Sequence, residues 1–198
     1  MSTISSQEAT KEVFKSGFVT LIGRPSAGKS SLLNALMGKK LAISSPTAQT
    51  TRHRFRAVHT TNSHQIIIVD TPGVHKPHDT LGEELNTTAL KSLEGIDVAA
   101  FVLDASAPFG TGDEWVISQL AQCSMPKLLV LSKIDLVTQE ELDLQRQRAL
   151  EAGQWDGVVA LSSVTGEQID TFIELVEQFL PAGPLWFPAD MELTNLLK

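Results

Sequence analysis

The chain has 198 residues, 42% hydrophobic and 20% charged, which bounds it as one ample domain, or one domain plus an extension, with enough apolar surface for a sizeable core. Sixteen basic residues against 23 acidic ones leave a net charge of −7, a poor match for a nucleic-acid backbone, and this argues against a strong grip on RNA or DNA by this chain alone. The single cysteine, Cys123, excludes a disulfide framework and reads as a small apolar residue on a helix.

In chain order, residues 1–15 are polar, have no signal-peptide apolar core and read as a flexible leader. The apolar run 18-FVTLI-22, closed by a glycine-rich loop, predicts a buried strand. Leu32, Leu33, Leu36 and Met37 then recur at helical spacing, with Gly38 as the stop. Residues 39–53 lack periodicity and read as a long loop. The segments 54-RFRAVHTT-61 and 65-QIIIV-69, joined through Asn62 and Ser63, predict an antiparallel pair. Strands follow at 98–104, 127–132 and 157–162, alternating with helices at Leu81–Leu93, Asp113–Cys123, Gln139–Ala152 and Glu167–Leu180. Such alternation predicts an α/β fold, a mostly parallel six-stranded sheet with one antiparallel edge strand and helices on both faces. Pro181, Gly183, Pro184 and Pro188 break regular structure, so the expected division is a leader (1–15), a nucleotide-binding domain (16–181) and a linker or tail (182–198). No apolar run is long enough to span a bilayer, and the expected location is the cytoplasm.

Three motifs carry chemistry. The loop 23-GRPSAGKSS-31 matches G-x-x-x-x-G-K-[ST] between a predicted strand and a predicted helix, the P-loop NTPase arrangement. Gly23, Arg24, Pro25, Ser26, Ala27, Gly28, Lys29, Ser30 and Ser31 would wrap a nucleotide's phosphates. Lys29 would bridge the β- and γ-phosphates, the Ser30 hydroxyl would hold Mg2+, and the helix N-terminus would face the negative charge. In 70-DTPG-73, Asp70 at a strand end would reach the metal through water, and Gly73 would offer its N–H to a γ-phosphate. In 132-SKID-135, the Asp135 carboxylate can accept from both N1–H and the exocyclic amine of guanine, a donor pair that adenine lacks, while Lys133 lays its stem along the base.

Together with 162-SSVTG-166, these motifs resemble the ordered set of a translation-factor-class small GTPase, a P-loop NTPase. More narrowly, 41-LAISSPTAQTTRHR-54 resembles the first switch of the Era family, 34-NALMGKKLAI-43 leads into it as in that family, and 184-PLWFPAD-190 resembles the stretch with which Era G domains pass to their next domain. The resemblance implies Mg2+-dependent hydrolysis of GTP to GDP and phosphate at a slow intrinsic rate, with Lys29, Thr51 and Gly73 in catalytic roles. It implies Thr51, with the adjacent Thr50 as the alternative, as a metal ligand beside Ser30 and Asp70. Ser132, Lys133 and Asp135 would read guanine, and the backbone of Ser162 and Ser163 would meet the guanine oxygen. It further implies a nucleotide-controlled switch in small ribosomal subunit (16S rRNA) assembly, a monomer, and a place in the cytoplasm with peripheral association at the inner membrane face as an option.

Three departures from the family pattern stand out. Ser132 replaces asparagine, giving up one end of a two-ended amide, which implies weaker guanine affinity with specificity kept through Asp135. Ser26 replaces an asparagine that helps many relatives bind an activating K+, so K+ stimulation is not implied here. The family's C-terminal KH domain has no counterpart in these residues, implying an isolated or truncated G domain. Val74 follows DTPG in place of a water-orienting glutamine, and His75 reads as a solvated loop residue. Two other classes compete: a GTP/GDP-gated binding module with negligible hydrolysis, and a P-loop kinase or ATPase, against which Asp135 and the Q-T-T-R string speak. The tandem-domain ribosome-assembly GTPases share most motifs, but the string 48-AQTTRHR-54 favours the Era pattern.

Overall fold

A computed structural model describes residues 13–37, 42–43, 54–70 and 93–188. Strands β1 (Lys15–Ile22), β2 (Ala42–Ile43), β3 (Arg54–Thr60), β4 (His64–Asp70), β5 (Val98–Asp104), β6 (Lys127–Ser132) and β7 (Gly157–Ala160) form one sheet in the order β2-β3-β4-β1-β5-β6-β7. Five of them run parallel as neighbours, and β3 alone pairs antiparallel on both sides. This is the expected mostly parallel sheet with its antiparallel strand, to which the two-residue β2 adds a short outer edge. The described helices are α1 (Lys29–Met37), α2 (Thr111–Leu120), α3 (Gln139–Ala152) and α4 (Ile169–Phe179). The helix expected at 81–93 lies, but for Leu93, outside the described residues.

Strand alternation builds two cores. In β5, Val98, Ala100 and Val102 face one core, while Ala99, Phe101 and Leu103 face the other, and all seven residues of the strand are buried. A strand covered on both faces needs an unbroken apolar run, which is what VAAFVL supplies. The first core receives Leu32 and Leu36 of α1 with Ile169, Phe172, Ile173 and Val176 of α4, the latter at i, i+3, i+4 and i+7. The second receives Val116, Ile117 and Leu120 of α2 and Ala149 of α3. Helix α2 ends at Leu120, three residues earlier than the spacing predicts. Cys123 lies half-buried in the turn beyond, where burial pushes its thiol pKa up.

The β3–β4 turn closes as expected at Asn62 and Ser63, with Thr61 Oγ1 accepting from the Ser63 and His64 backbone N–H groups at 3.2 and 3.0 Å. Residues 181–187 do not leave the domain at once. Ser16 N–H and Oγ donate to Pro181 O (3.0 Å) and Pro184 O (2.7 Å). The buried Gln65 side chain donates to Phe187 O at 2.8 Å and accepts from Trp186 N–H at 2.9 Å. No helix among the described residues is long and apolar enough to cross a membrane.

Burial at the sheet's far end makes stability pH-dependent. His64 is buried, with Nδ1 3.0 Å from Glu177 Oε1 on α4, and its ring centroid lies 5.5 Å from that of His59. His59 Nδ1 and His64 Nε2 are buried with no hydrogen-bond partner among the described residues. Burial, then the neighbouring His64, pushes the His59 pKa down, outweighing the carboxylates of Asp170 and Glu177. With the folded value below the unfolded one, the unfolded chain binds more protons, so this stability is present above about pH 6.5 and is lost as pH falls below it. Urea midpoints should therefore drop on acidification through that range, and His59→Gln should flatten the drop. Phe101, fully buried and stacked on Trp155 at 5.5 Å, should cost about 3–5 kcal/mol of unfolding free energy when replaced by Ala, read by denaturant titration.

Candidate nucleotide site

Parallel strands deliver their C-terminal ends to one edge, and four of them carry the motif residues there. β1 runs into the loop Gly23–Gly28, β4 ends at Asp70, β5 at Asp104 and β6 at Ser132. Pairing of Thr20 with Val69 sets Asp70 beside the point where β1 enters its loop, and Asp104 pairs directly with Ser132. Open α/β sheets bind ligands at such an edge.

The phosphate loop is built by close packing. Gly23 (φ 152°) lies so near β5 that a Cβ would stand 2.3 Å from Val102 O, and Gly28 adopts φ 97° with Ser132 Oγ beside it. Ser26 holds φ 64°, a left-handed conformation unusual for a residue with a side chain. From Gly28 the chain enters α1, whose first bond is Leu32 N–H to Gly28 O at 2.8 Å. Lys29 folds back so that Nζ donates to Gly23 O (2.7 Å) and Arg24 O (2.6 Å), and burial lowers its pKa. Ser30 and Ser31 lie exposed in the first turn of α1, Pro25 and Ser26 are exposed at the loop's tip, and Ala27 is buried. Backbone N–H groups at a helix start, one ammonium and exposed hydroxyls suit a phosphate chain with a hard cation. Ser30 stands in the first turn of α1 and Asp70 at the end of β4, whereas Thr50, Thr51, Gly73 and His75 lie outside the described residues.

The base-reading segment is tied to this loop by Ser132, buried at 1% exposure. Its Oγ stands 2.6 Å from Ala27 O and 3.0 Å from Leu103 O. A hydroxyl has one proton for these two acceptors, where an asparagine amide would bring two. Next to it Lys133 turns through φ 60° and pairs its Nζ with Asp104 Oδ2 at 2.5 Å. Burial works to raise the Asp104 pKa, but the hydrogen bonds from Lys133 and Ser106 outweigh it and hold the carboxyl below its usual range.

Asp135 is exposed, and one of its oxygens accepts from the fully buried Ser162 Oγ at 2.5 Å. Ser162 Oγ accepts in turn from the backbone N–H of Val164 and Thr165, both at 3.2 Å. This chain aims the carboxylate outward with its second oxygen uncommitted in these bonds. Ser163 lies half-buried beside it. The motif reading took the backbone of Ser162 and Ser163 as the useful part; the Ser162 hydroxyl, as the group orienting Asp135, was missed. Asp104 and Asp113, the acidic partners of Lys133 and Arg24, were missed as well. Asp104 closes the apolar run VAAFVLD at a strand's C-terminal end, the position that singled out Asp70, and could have been found by that signal.

Comparison with known proteins agrees with this geometry. A family model described as 50S ribosome-binding GTPase matches residues 18–133. GTPase Era of Alkaliphilus metalliredigens is 41% identical over 178 residues, 90% of this chain and 60% of that protein, and GTPase Era of Nostoc sp. is 42% identical over 180 residues, 90% of this chain and 55% of that protein. Among solved structures, Era in complex with MgGDPNP and a segment of 16S ribosomal RNA superposes with a TM-score of 0.72 at 35% identity, covering 90% of this chain and 61% of that one. An Aquifex aeolicus Era variant bound to GDP and AlF4− gives 0.69 at 34%, covering 90% and 61%. The chain thus spans about 60% of the length of such relatives. With more than half of its residues matched by the family model, the chain belongs to the family of 50S ribosome-binding GTPases and is similar within it to the Era GTPases.

Proposed function

We propose that the chain binds GTP and GDP through this edge and hydrolyses GTP to GDP and phosphate. The observation that carries the reading is the Asp135 carboxylate, aimed outward by Ser162, on the same edge as a phosphate loop holding Lys29. A bound Mg2+ supplies charge neutralisation at the β- and γ-phosphates. Ser30, Asp70 (through water) and Thr51 are the residues proposed to hold it, with Thr50 as the alternative to Thr51. Lys29 exchanges its two carbonyl partners for phosphate oxygens, and the loop N–H groups and Gly73 stabilise charge as it develops on the transferred group. Lys133 flanks the base, held upright by Asp104. No described side chain is placed as a general base, so intrinsic turnover is slow.

The relatives named above include an Era bound to 16S ribosomal RNA, which supports a role as a nucleotide-controlled switch in small-subunit assembly. The net charge of −7 supports only a weak grip on RNA by this chain alone. The nucleotide-binding domain is taken as residues 16–181 and the stretch 182–198 as a connection. The chain is proposed to act as a monomer in the cytoplasm, with peripheral association at the inner face of the cell membrane as the alternative location.

Phosphate release from GTP above the enzyme-free rate, competed by GDP and not by ADP, is the expected result; tight GTP binding without release would instead identify a gated binding module. Asp135→Asn turns an acceptor into a mixed donor–acceptor and should lower guanine-over-adenine selectivity at least about 100-fold in competition titrations. Ser132→Asn gives the two carbonyls a donor each and should tighten GDP binding about 5-fold, the equivalent of one hydrogen bond. Ser26 has no amide oxygen to offer a potassium ion, so turnover should be equal in Na+ and K+ buffers.

A further inference from the structure

Arg24 sits inside the phosphate loop yet points away from it. Its Nε lies 2.9 Å from Asp113 Oδ1, and one terminal nitrogen donates to Pro108 O at 3.1 Å. Asp113 is at 1% side-chain exposure in the first turn of α2, where its other oxygen accepts from Gly110 N–H at 3.0 Å. The Arg24 stem passes over Gly112, where a Cβ would stand 2.9 Å from Arg24 Cδ, so any larger residue there must push the stem aside. On its backbone side, the same residue supplies one of the two carbonyls on which Lys29 rests.

Between Arg24 and Ala27 lies Ser26 in its left-handed conformation. A non-glycine residue keeps such a conformation only where its surroundings over-determine it. Here two tethers from different elements bracket it: Arg24 is held by α2, and Ala27 O accepts from Ser132 Oγ at the end of β6. We propose that Arg24 is a positioning residue: through Asp113 it anchors the phosphate loop to the first turn of α2, fixes the carbonyl that holds Lys29 ready, and does not itself reach phosphate. The proposal rests on the guanine-nucleotide reading above and names the part of the protein that shapes its phosphate grip. Burial pushes the Asp113 pKa up in spite of the Gly110 N–H and the Arg24 guanidinium.

The test compares Asp113→Asn, Arg24→Met, and the double variant Arg24→Met with Asp113→Leu, using titration with fluorescently labelled GDP, competition by GMP and ADP, and urea unfolding. Asp113→Asn keeps an acceptor for Gly110 N–H while removing the charge that faces Arg24. The double variant replaces the pair with apolar groups that can fill the space without leaving a lone buried charge. GDP affinity should fall about tenfold in Asp113→Asn and in the double variant, with GMP affinity and guanine-over-adenine selectivity unchanged, while the double variant still unfolds cooperatively in urea, its midpoint lowered by the lost acceptor for Gly110 N–H. Full GDP affinity in the double variant would overturn the proposal by assigning the pair to folding alone. Tighter GDP binding in Asp113→Asn would overturn it in another way, by making Arg24 a phosphate ligand that Asp113 restrains. If the parent chain bound no GDP, the guanine-nucleotide reading itself would fall; normal parent binding with unaffected variants would remove only the anchor.

Discussion

Parallel pairing of β5 with both β1 and β6 is the constraint from which the site follows. Every residue of β5 is buried, so the strand can shift neither outward nor along its neighbours without moving apolar groups from one core to the other. Locked in this way, it sets the ends of three strands beside one another. Gly23 then lies against Val102, and Asp104 lies opposite Ser132. The loop after β1 and the turn after β6 meet because their strands have no other register.

At that edge the charges are sorted. Two cationic side chains, Arg24 and Lys133, pair with carboxylates supplied by the core side, Asp113 and Asp104. Lys29 rests instead on two neutral carbonyls among the described residues. Partial burial lowers its pKa, which measures how poorly those carbonyls replace water. An ammonium held this way gains most when an anion arrives. Among the described loop residues, Arg24 and Lys133 have acidic partners and Lys29 has carbonyl ones.

A second theme is single hydroxyls acting as joints. Ser132 Oγ links the phosphate loop, β5 and the base-reading turn, with one proton shared between two carbonyls. Ser162 Oγ takes two backbone N–H groups and passes its own proton to Asp135, so the loop after β7 decides where that carboxylate points. The first joint is under-supplied with donors and the second is saturated.

Much of this was readable from residue order. Unbroken β-branched and aliphatic runs such as QIIIV and VAAFVLD identify strands buried on both faces, and the spacing of Leu32, Leu36, Phe172 and Val176 identifies helices that cover them. Spacing within GRPSAGKS and SKID likewise suggests the chemistry of phosphate and guanine, because such contacts would be made by backbone turns and short side chains local to each motif. Partners distant in sequence were not legible: Arg24 with Asp113, Lys133 with Asp104, Gln65 with Trp186 and Phe187. Nor could the sequence show that Lys29 rests on carbonyls while its two cationic neighbours are neutralised. Local patterns are set by the backbone's own geometry, and so residue order determined the elements and the motifs. Which carboxylate meets which cation is decided only when the strands stack in register and bring together groups that the chain itself keeps far apart.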